Sequence, residues 1–144
     1  MDVSELRKRI ERAVDDARKE AASRRVLVDQ SVKAYAEFLA AVAVPMLKQT
    51  ATIVNASGSA FVVSTPAETV RLSAQHAPET YLEIALDRSG AEPEVVGRVS
   101  LARGREGTIV DERVLAQGKP VEKLTEEDLA AYLVTAVPRL VVKI

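Results

Sequence analysis

The chain contains no cysteine, no tryptophan and a single histidine among its 144 residues. Without cysteine there is no disulfide framework, no thiol nucleophile and no thiolate metal site. One histidine, His76, excludes multi-histidine metal centres and leaves one side chain whose unperturbed pKa lies near neutrality. The aromatic residues are Tyr35, Phe38, Phe61, Tyr81 and Tyr132, too few for a base-stacking platform. Excess charge of either sign is missing as well: 20 basic residues stand against 21 acidic ones, and a pI near 5.9 provides no steering toward phosphate. Nucleic acid is accordingly a disfavoured partner. Gly118-Lys119 is no phosphate loop, because Arg113 stands where that motif needs glycine and Pro120 follows the lysine.

What remains is a balanced, core-forming composition. Apolar residues make up 47% of the chain and charged ones 28%, and a chain of this length buries roughly 68% of its unfolded surface. A single α+β domain is expected. The first 25 residues carry eight basic and six acidic side chains, which is unlike a signal peptide. The most apolar segment, 34–47, is shorter than the ~20 residues of a membrane-spanning helix and contains Pro45. It reads as a core helix, with no membrane span and the cytoplasm as the default compartment. Asn55-Ala56-Ser57 matches a glycosylation acceptor by chance in that setting.

Asp2 and Glu5 resemble a capping box opening a helix at Val3. Apolar residues then recur at three- and four-residue steps: Val3, Leu6, Ile10, Val14, Ala17, Ala21, Val28, Val32, Tyr35, Leu39, Val42 and Met46. The row Val14, Ala21, Val28, Tyr35 and Val42 is heptadic, but its companion drifts from Ile10 and Ala17 to Arg24 and Ser31. Two forms stay open: one long helix, or two broken near Ala22-Ser23-Arg24-Arg25. Pro45 is expected to kink or end the last turn. On the charged face, Glu5–Arg9, Arg7–Glu11, Asp15–Lys19 and Glu20–Arg24 stand at the spacing of helical ion pairs.

Period-two patterning follows and predicts six strands, at 51–56, 60–65, 69–75, 80–87, 95–103 and 108–116. Ser57-Gly58-Ser59, Arg88-Ser89-Gly90 and Gly104-Arg105-Glu106-Gly107 are the intervening turns. With no helix between them the strands form an antiparallel meander, one face dry and the other wet. Thr125 then caps a second helix whose first turn is acidic (Glu126, Glu127, Asp128), with Leu124 and Leu129 as a hydrophobic staple. Leu129, Leu133, Ala136, Val137 and Leu140 form its apolar stripe, ending or kinking near Pro138. The expected layout is a helical arm and core helix over 1–48, the sheet over 49–118 and a C-terminal helix over 125–142.

Candidate chemistry is sparse. His76 reads as a loop residue with no nucleophile nearby in sequence. Gly104-Arg105-Glu106-Gly107 satisfies a Gly-x-x-Gly pattern, but between strands, where a hairpin turn explains the glycines. Arg98, Arg103, Arg105 and Arg113 would make a basic patch interspersed with Glu106, Asp111 and Glu112. Glu126, Glu127 and Asp128 read as helix-dipole partners rather than cation ligands. No catalytic residue, metal or cofactor is expected. The leading expectation is a non-enzymatic interaction module (adaptor, chaperone-like or structural subunit) binding itself as a homodimer, or another protein. Its expected contact residues are Leu6, Ile10, Val14, Ala17 and Ala21. A small apolar ligand held between sheet and helices is the second reading, and an enzyme using His76 or a buried carboxylate the third.

Overall fold

The structure, a computed structural model, describes residues 1–102 and 107–142. One helix of 54 residues runs from Val3 to Ala56, about 81 Å at 1.5 Å per residue. It comprises α1 (Val3–Phe38), a π-turn (Leu39–Ala43) and α2 (Val44–Ala56). Five strands follow: β1 (Phe61–Ser64), β2 (Val70–Ala74), β3 (Ala77–Asp87), β4 (Glu94–Ala102) and β5 (Thr108–Val114). A 3-10 turn (Val121–Lys123) leads into α3 (Glu126–Val141). The strands form one antiparallel meander in chain order. The fold is thus the expected α+β arrangement, with five strands in place of six.

The missing strand is the end of the long helix. Residues 51–56 form the last turns of α2, burying Ala51 and Val54 on the same side as Leu47 while Ile53 stays 67% exposed. A short apolar run fits either period, and here the helical one wins. Gly58 is a helix stop rather than a hairpin turn. At φ +101° it lets Ser59 N–H donate to the Val54 carbonyl at 3.1 Å. Asn55 then fastens the helix end to β1, its amide donating to the Phe61 carbonyl and its Oδ1 accepting from Phe61 N–H.

The helix is continuous across Ala22-Ser23-Arg24-Arg25, where the sequence left a break open. Neither glycine nor proline occurs there to favour one. Pro45 does not end it. Just upstream, Val44 N–H donates to the Leu39 carbonyl, five residues back, so the ladder slips by one residue. Pro45 then sits in the first turn of α2, where its missing N–H is tolerated. The segment 34–47 is also not covered all round. Tyr35, Phe38, Ala43 and Leu47 are buried, but Ala36, Ala40, Ala41 and Pro45 face solvent. The sheet covers one side only, and exposed alanines cost little.

Register explains both faces of the sheet. Leu72 pairs with Leu82, Leu82 with Val99 and Val70 with Ile84, placing these buried side chains toward the helices. On the opposite face Arg71, Glu83, Arg98 and Glu112 stand side by side across β2 to β5. Their ion pairs measure 3.1 Å (Arg71–Glu83), 3.7 Å (Glu83–Arg98) and 3.6 Å (Arg98–Glu112). The Arg71 guanidinium also lies 4.1 Å from the centre of the Tyr81 ring. This face is less wet than alternation implies: Ser73, Glu83, Ala85, Val96 and Ser100 are buried on it.

The α3 helix docks on the first face through Leu129, Leu133, Ala136 and Leu140, all buried, and continues past Pro138 to Val141. The ring of Tyr132 occupies the space where a side chain at Gly97 would be. Burial pushes its hydroxyl up to about 12, with Asp111 adding to the rise. The β1–β2 connection turns through Ala67 and Glu68, both at positive φ (+24° and +60°). The Tyr35 hydroxyl donates to the Glu68 carbonyl at 2.6 Å and holds this strained turn. Burial raises its pKa, and Glu83 and Glu68 add to the effect, so the donor keeps its proton.

Candidate interaction surface

The longest uncovered feature is the N-terminal half of the helix. Every residue from 1 to 27 is exposed. Helix formation here rests on local terms. Asp2 accepts from Ser4 N–H, and ion pairs close between Glu5 and Arg9 (3.2 Å), Asp15 and Lys19 (3.3 Å) and Glu20 and Arg24 (3.3 Å). The expected Arg7–Glu11 pair is not closed among the described residues. Its base precedes its acid, the weaker orientation on a helix.

The expected contact residues all lie in this arm. Leu6, Ile10 and Val14 are 46%, 54% and 42% exposed, with Ala17 and Ala21 exposed beside them. The steps from Val3 through Leu6, Ile10, Val14, Ala17 and Ala21 to Arg25, Val28 and Val32 run three, four, four throughout. That eleven-residue period, about 3.67 residues per turn, keeps the stripe almost parallel to the helix axis. A heptad reading misses it and registers only a drift. Arg25 is the one charged member, and Val28 and Val32 are half-buried where the helix reaches the rest of the molecule.

At that elbow lies an open groove of about 420 Å³. Ser23, Leu27 and Val28 of α1 form one wall, and Pro93, Pro120 and Val121 the other. Ser31 donates to Glu122 across its floor at 3.4 Å. Leu27, at its mouth, is 62% exposed. Its walls come from three separate stretches of chain, so no local sequence signal could have found it. A smaller groove of about 210 Å³ runs along Tyr35, Leu39 and Val44. The notch between α3 and the sheet beside Tyr132 holds about 90 Å³, well under the ~300 Å³ of a typical ligand pocket.

The remaining candidates are scattered. His76 is exposed at the two-residue turn joining β2 to β3. Glu83, the buried carboxylate, has its two oxygens engaged by Arg71 and Arg98. Arg98 and Arg113 point to opposite faces of the sheet, since Arg98 pairs with Glu112 and Gly97 with Arg113. Arg103, Arg105 and most of the Gly-x-x-Gly turn lie outside the described residues. Asp128 completes the capping box with Thr125. Its carboxyl is held below the ordinary carboxylate range by the Lys119 ammonium first and the Thr125 backbone N–H second. Among the described residues no group of three or more histidine, aspartate and glutamate side chains is placed to hold a metal ion.

By length and composition the long helix also contains an 18-residue window apolar enough to cross a membrane, 22% of it buried. Tyr35 and Phe38 of α1, Ala43 of the π-turn and Leu47 of α2 are packed into the core. No family model, curated protein or solved structure matches the chain.

Proposed function

We propose that the protein is a non-enzymatic interaction module that associates with a second copy of itself through the arm formed by residues 3–27. The observation carrying this reading is the continuous exposed stripe Leu6, Ile10, Val14, Ala17 and Ala21 on a helix with no intramolecular cover. A solitary helix in water is marginal, and packing of an apolar face is what ordinarily stabilises one.

Magnitudes set the strength of such a dimer. Complete burial of a Val, Leu or Ile side chain is worth about 1.5–3 kcal/mol. Leu6, Ile10 and Val14 are about half exposed and Val3 is 72% exposed, so two arms together gain on the order of 6–13 kcal/mol. Association costs about 4–15 kcal/mol in lost freedom. The two ranges overlap, so the stripe alone supports a weak dimer.

Sedimentation velocity from about 1 to 100 μM tests the reading. The full chain is expected to sediment as a dimer at the upper end, while an Ile10→Asp/Val14→Asp protein and a chain beginning at Arg25 stay monomeric. A full chain monomeric throughout overturns it.

A further inference from the structure

Resting on that reading, we infer that the two arms pair antiparallel, about a two-fold axis near Val14, and that the tip of each arm seats in the elbow groove of the other copy. The first argument is charge. At 3.6 residues per turn, Arg9, Glu20 and Arg24 fall on one flank of the stripe, and Arg7, Glu11 and Arg18 on the other. In an antiparallel pair each flank meets the same flank of its partner, running the other way. Arg9 then stands opposite the partner's Glu20, and Glu11 opposite the partner's Arg18, each contact occurring twice. The intrahelical pairs Glu5–Arg9 and Glu20–Arg24 come to lie head to tail. In a parallel pair opposite flanks meet at equal height, which sets Arg9 between the partner's Arg7 and Glu11 and brings Arg24 against the partner's Arg25, so like-charge contacts accompany the attractive ones. Charge complementarity therefore selects the antiparallel arrangement.

The second argument is layering. In that register Ile10 lies at the level of the partner's Ala17, and Leu6 at the level of the partner's Ala21. A large residue faces a small one in each layer, and Val14 meets its own copy at the axis. The near-axial run of the stripe lets two almost straight helices keep this contact along the whole arm.

The third argument is reach. Continuing outward, the partner's Val3 and Met1 arrive beside Arg25 and Leu27, at the mouth of the 420 Å³ groove. Met1 and Val3 are among the most exposed large apolar side chains of the molecule. The groove offers them Leu27, Val28, Pro93, Pro120 and Val121, and an unbranched methionine suits an irregular apolar cleft. The segment at the tip and the cleft at the base of the arm have no other apolar cover among the described residues, and one symmetric assembly covers both twice. The contact is closed, because a two-fold pairing uses both arms and both grooves and leaves no free end for further growth.

The absence of native cysteine makes the register directly readable. Leu6→Cys and Ala21→Cys proteins, mixed and oxidised, are expected to cross-link to each other, whereas Leu6→Cys alone does not cross-link to itself. Leu6→Cys homodimers without the mixed species overturn the antiparallel register. A sedimenting dimer with neither cross-link also overturns it while leaving self-association standing, and a monomer throughout sinks self-association itself. The seated tip is tested by Leu27→Asp, at an exposed position that leaves folding intact. The dimer dissociation constant is expected to rise about tenfold with an unchanged melting curve for the monomer. An unchanged dissociation constant removes the groove from the interface. Arg9→Glu is expected to weaken the dimer and Arg9→Glu/Glu20→Arg to restore it; no rescue by the second change overturns the charge pairing.

Discussion

The two halves of the long helix are covalently one element and physically two. From Val3 to Leu27 every residue is exposed, and the helix rests on an N-cap, three ion pairs along its surface and the propensities of its alanine, arginine, lysine and glutamate residues. From Val28 onward it is fixed by burial: Tyr35, Phe38, Ala43 and Leu47 enter a core shared with the sheet and α3. Local terms of a few tenths of a kcal/mol each hold the first half, and side chains worth about 1.5–3 kcal/mol each hold the second. The same secondary structure can thus mark a finished part of a molecule or a part awaiting its cover.

The sharpest way to break this comparison is to remove equivalent methyl groups from both regions. Leu82→Ala, at a fully buried position in β3, is expected to lower stability by about 2–5 kcal/mol in a denaturant melt. Leu6→Ala, measured where the chain is monomeric, is expected to change it by less than about 0.5 kcal/mol. Equal effects would mean that the arm is part of the cooperative fold.

A smaller effect is expected from adding an atom. Gly97→Ala drives a methyl group into the Tyr132 ring, and displacing α3 from the sheet is expected to cost about 1–3 kcal/mol. The same change should leave the arm-mediated association constant untouched, which sedimentation below the melting temperature checks.

The smallest expected effect concerns the cap of α3. Because the folded state holds the Asp128 carboxyl below its ordinary range, its contribution is complete above the unfolded value of about 4 and is lost as pH falls through the lower folded value. Asp128→Asn is expected to flatten that part of the acid limb in thermal melts recorded between about pH 5 and 2. An acid limb identical to that of the parent would show that the carboxyl is not linked to folding.

Where sequence signals are local, they matched the structure. Thr125, the acidic first turn and Leu129 marked α3 through chemistry confined to a few consecutive residues. The alternation Leu82, Ile84, Leu86 marked β3 and its inward face, because one side of that strand is covered by helices. Residues 51–56 read as a strand because Thr52-Ile53-Val54 has strand-like composition. What decides their state is Leu47 one turn earlier and the Asn55 clamp onto Phe61, a contact no periodicity records. Pro45 misled in the opposite sense, since the one-residue slip that accommodates it has no sequence signature of its own. The stripe on the arm was visible from the start, but the elbow groove and the four-strand charge ladder exist only once distant stretches have been brought together.

The slipped turn at Leu39–Ala43 acts as a phase setting on a shaft. One additional residue in a helix turns everything beyond it by about 100° and lengthens it by about 1.5 Å. The compass bearing of Leu6, Ile10 and Val14 relative to the sheet is therefore set 25 or more residues downstream of them, at a place that touches none of them. In the proposed pair, the angle between the two sheets is the sum of two such settings. A single-residue deletion between Leu39 and Ala43 would let the ladder close with ordinary four-residue hydrogen bonds and leave that bearing nearly unchanged, whereas a deletion in the regular helix at Ser23 would swing each sheet by about 100° around the common axis.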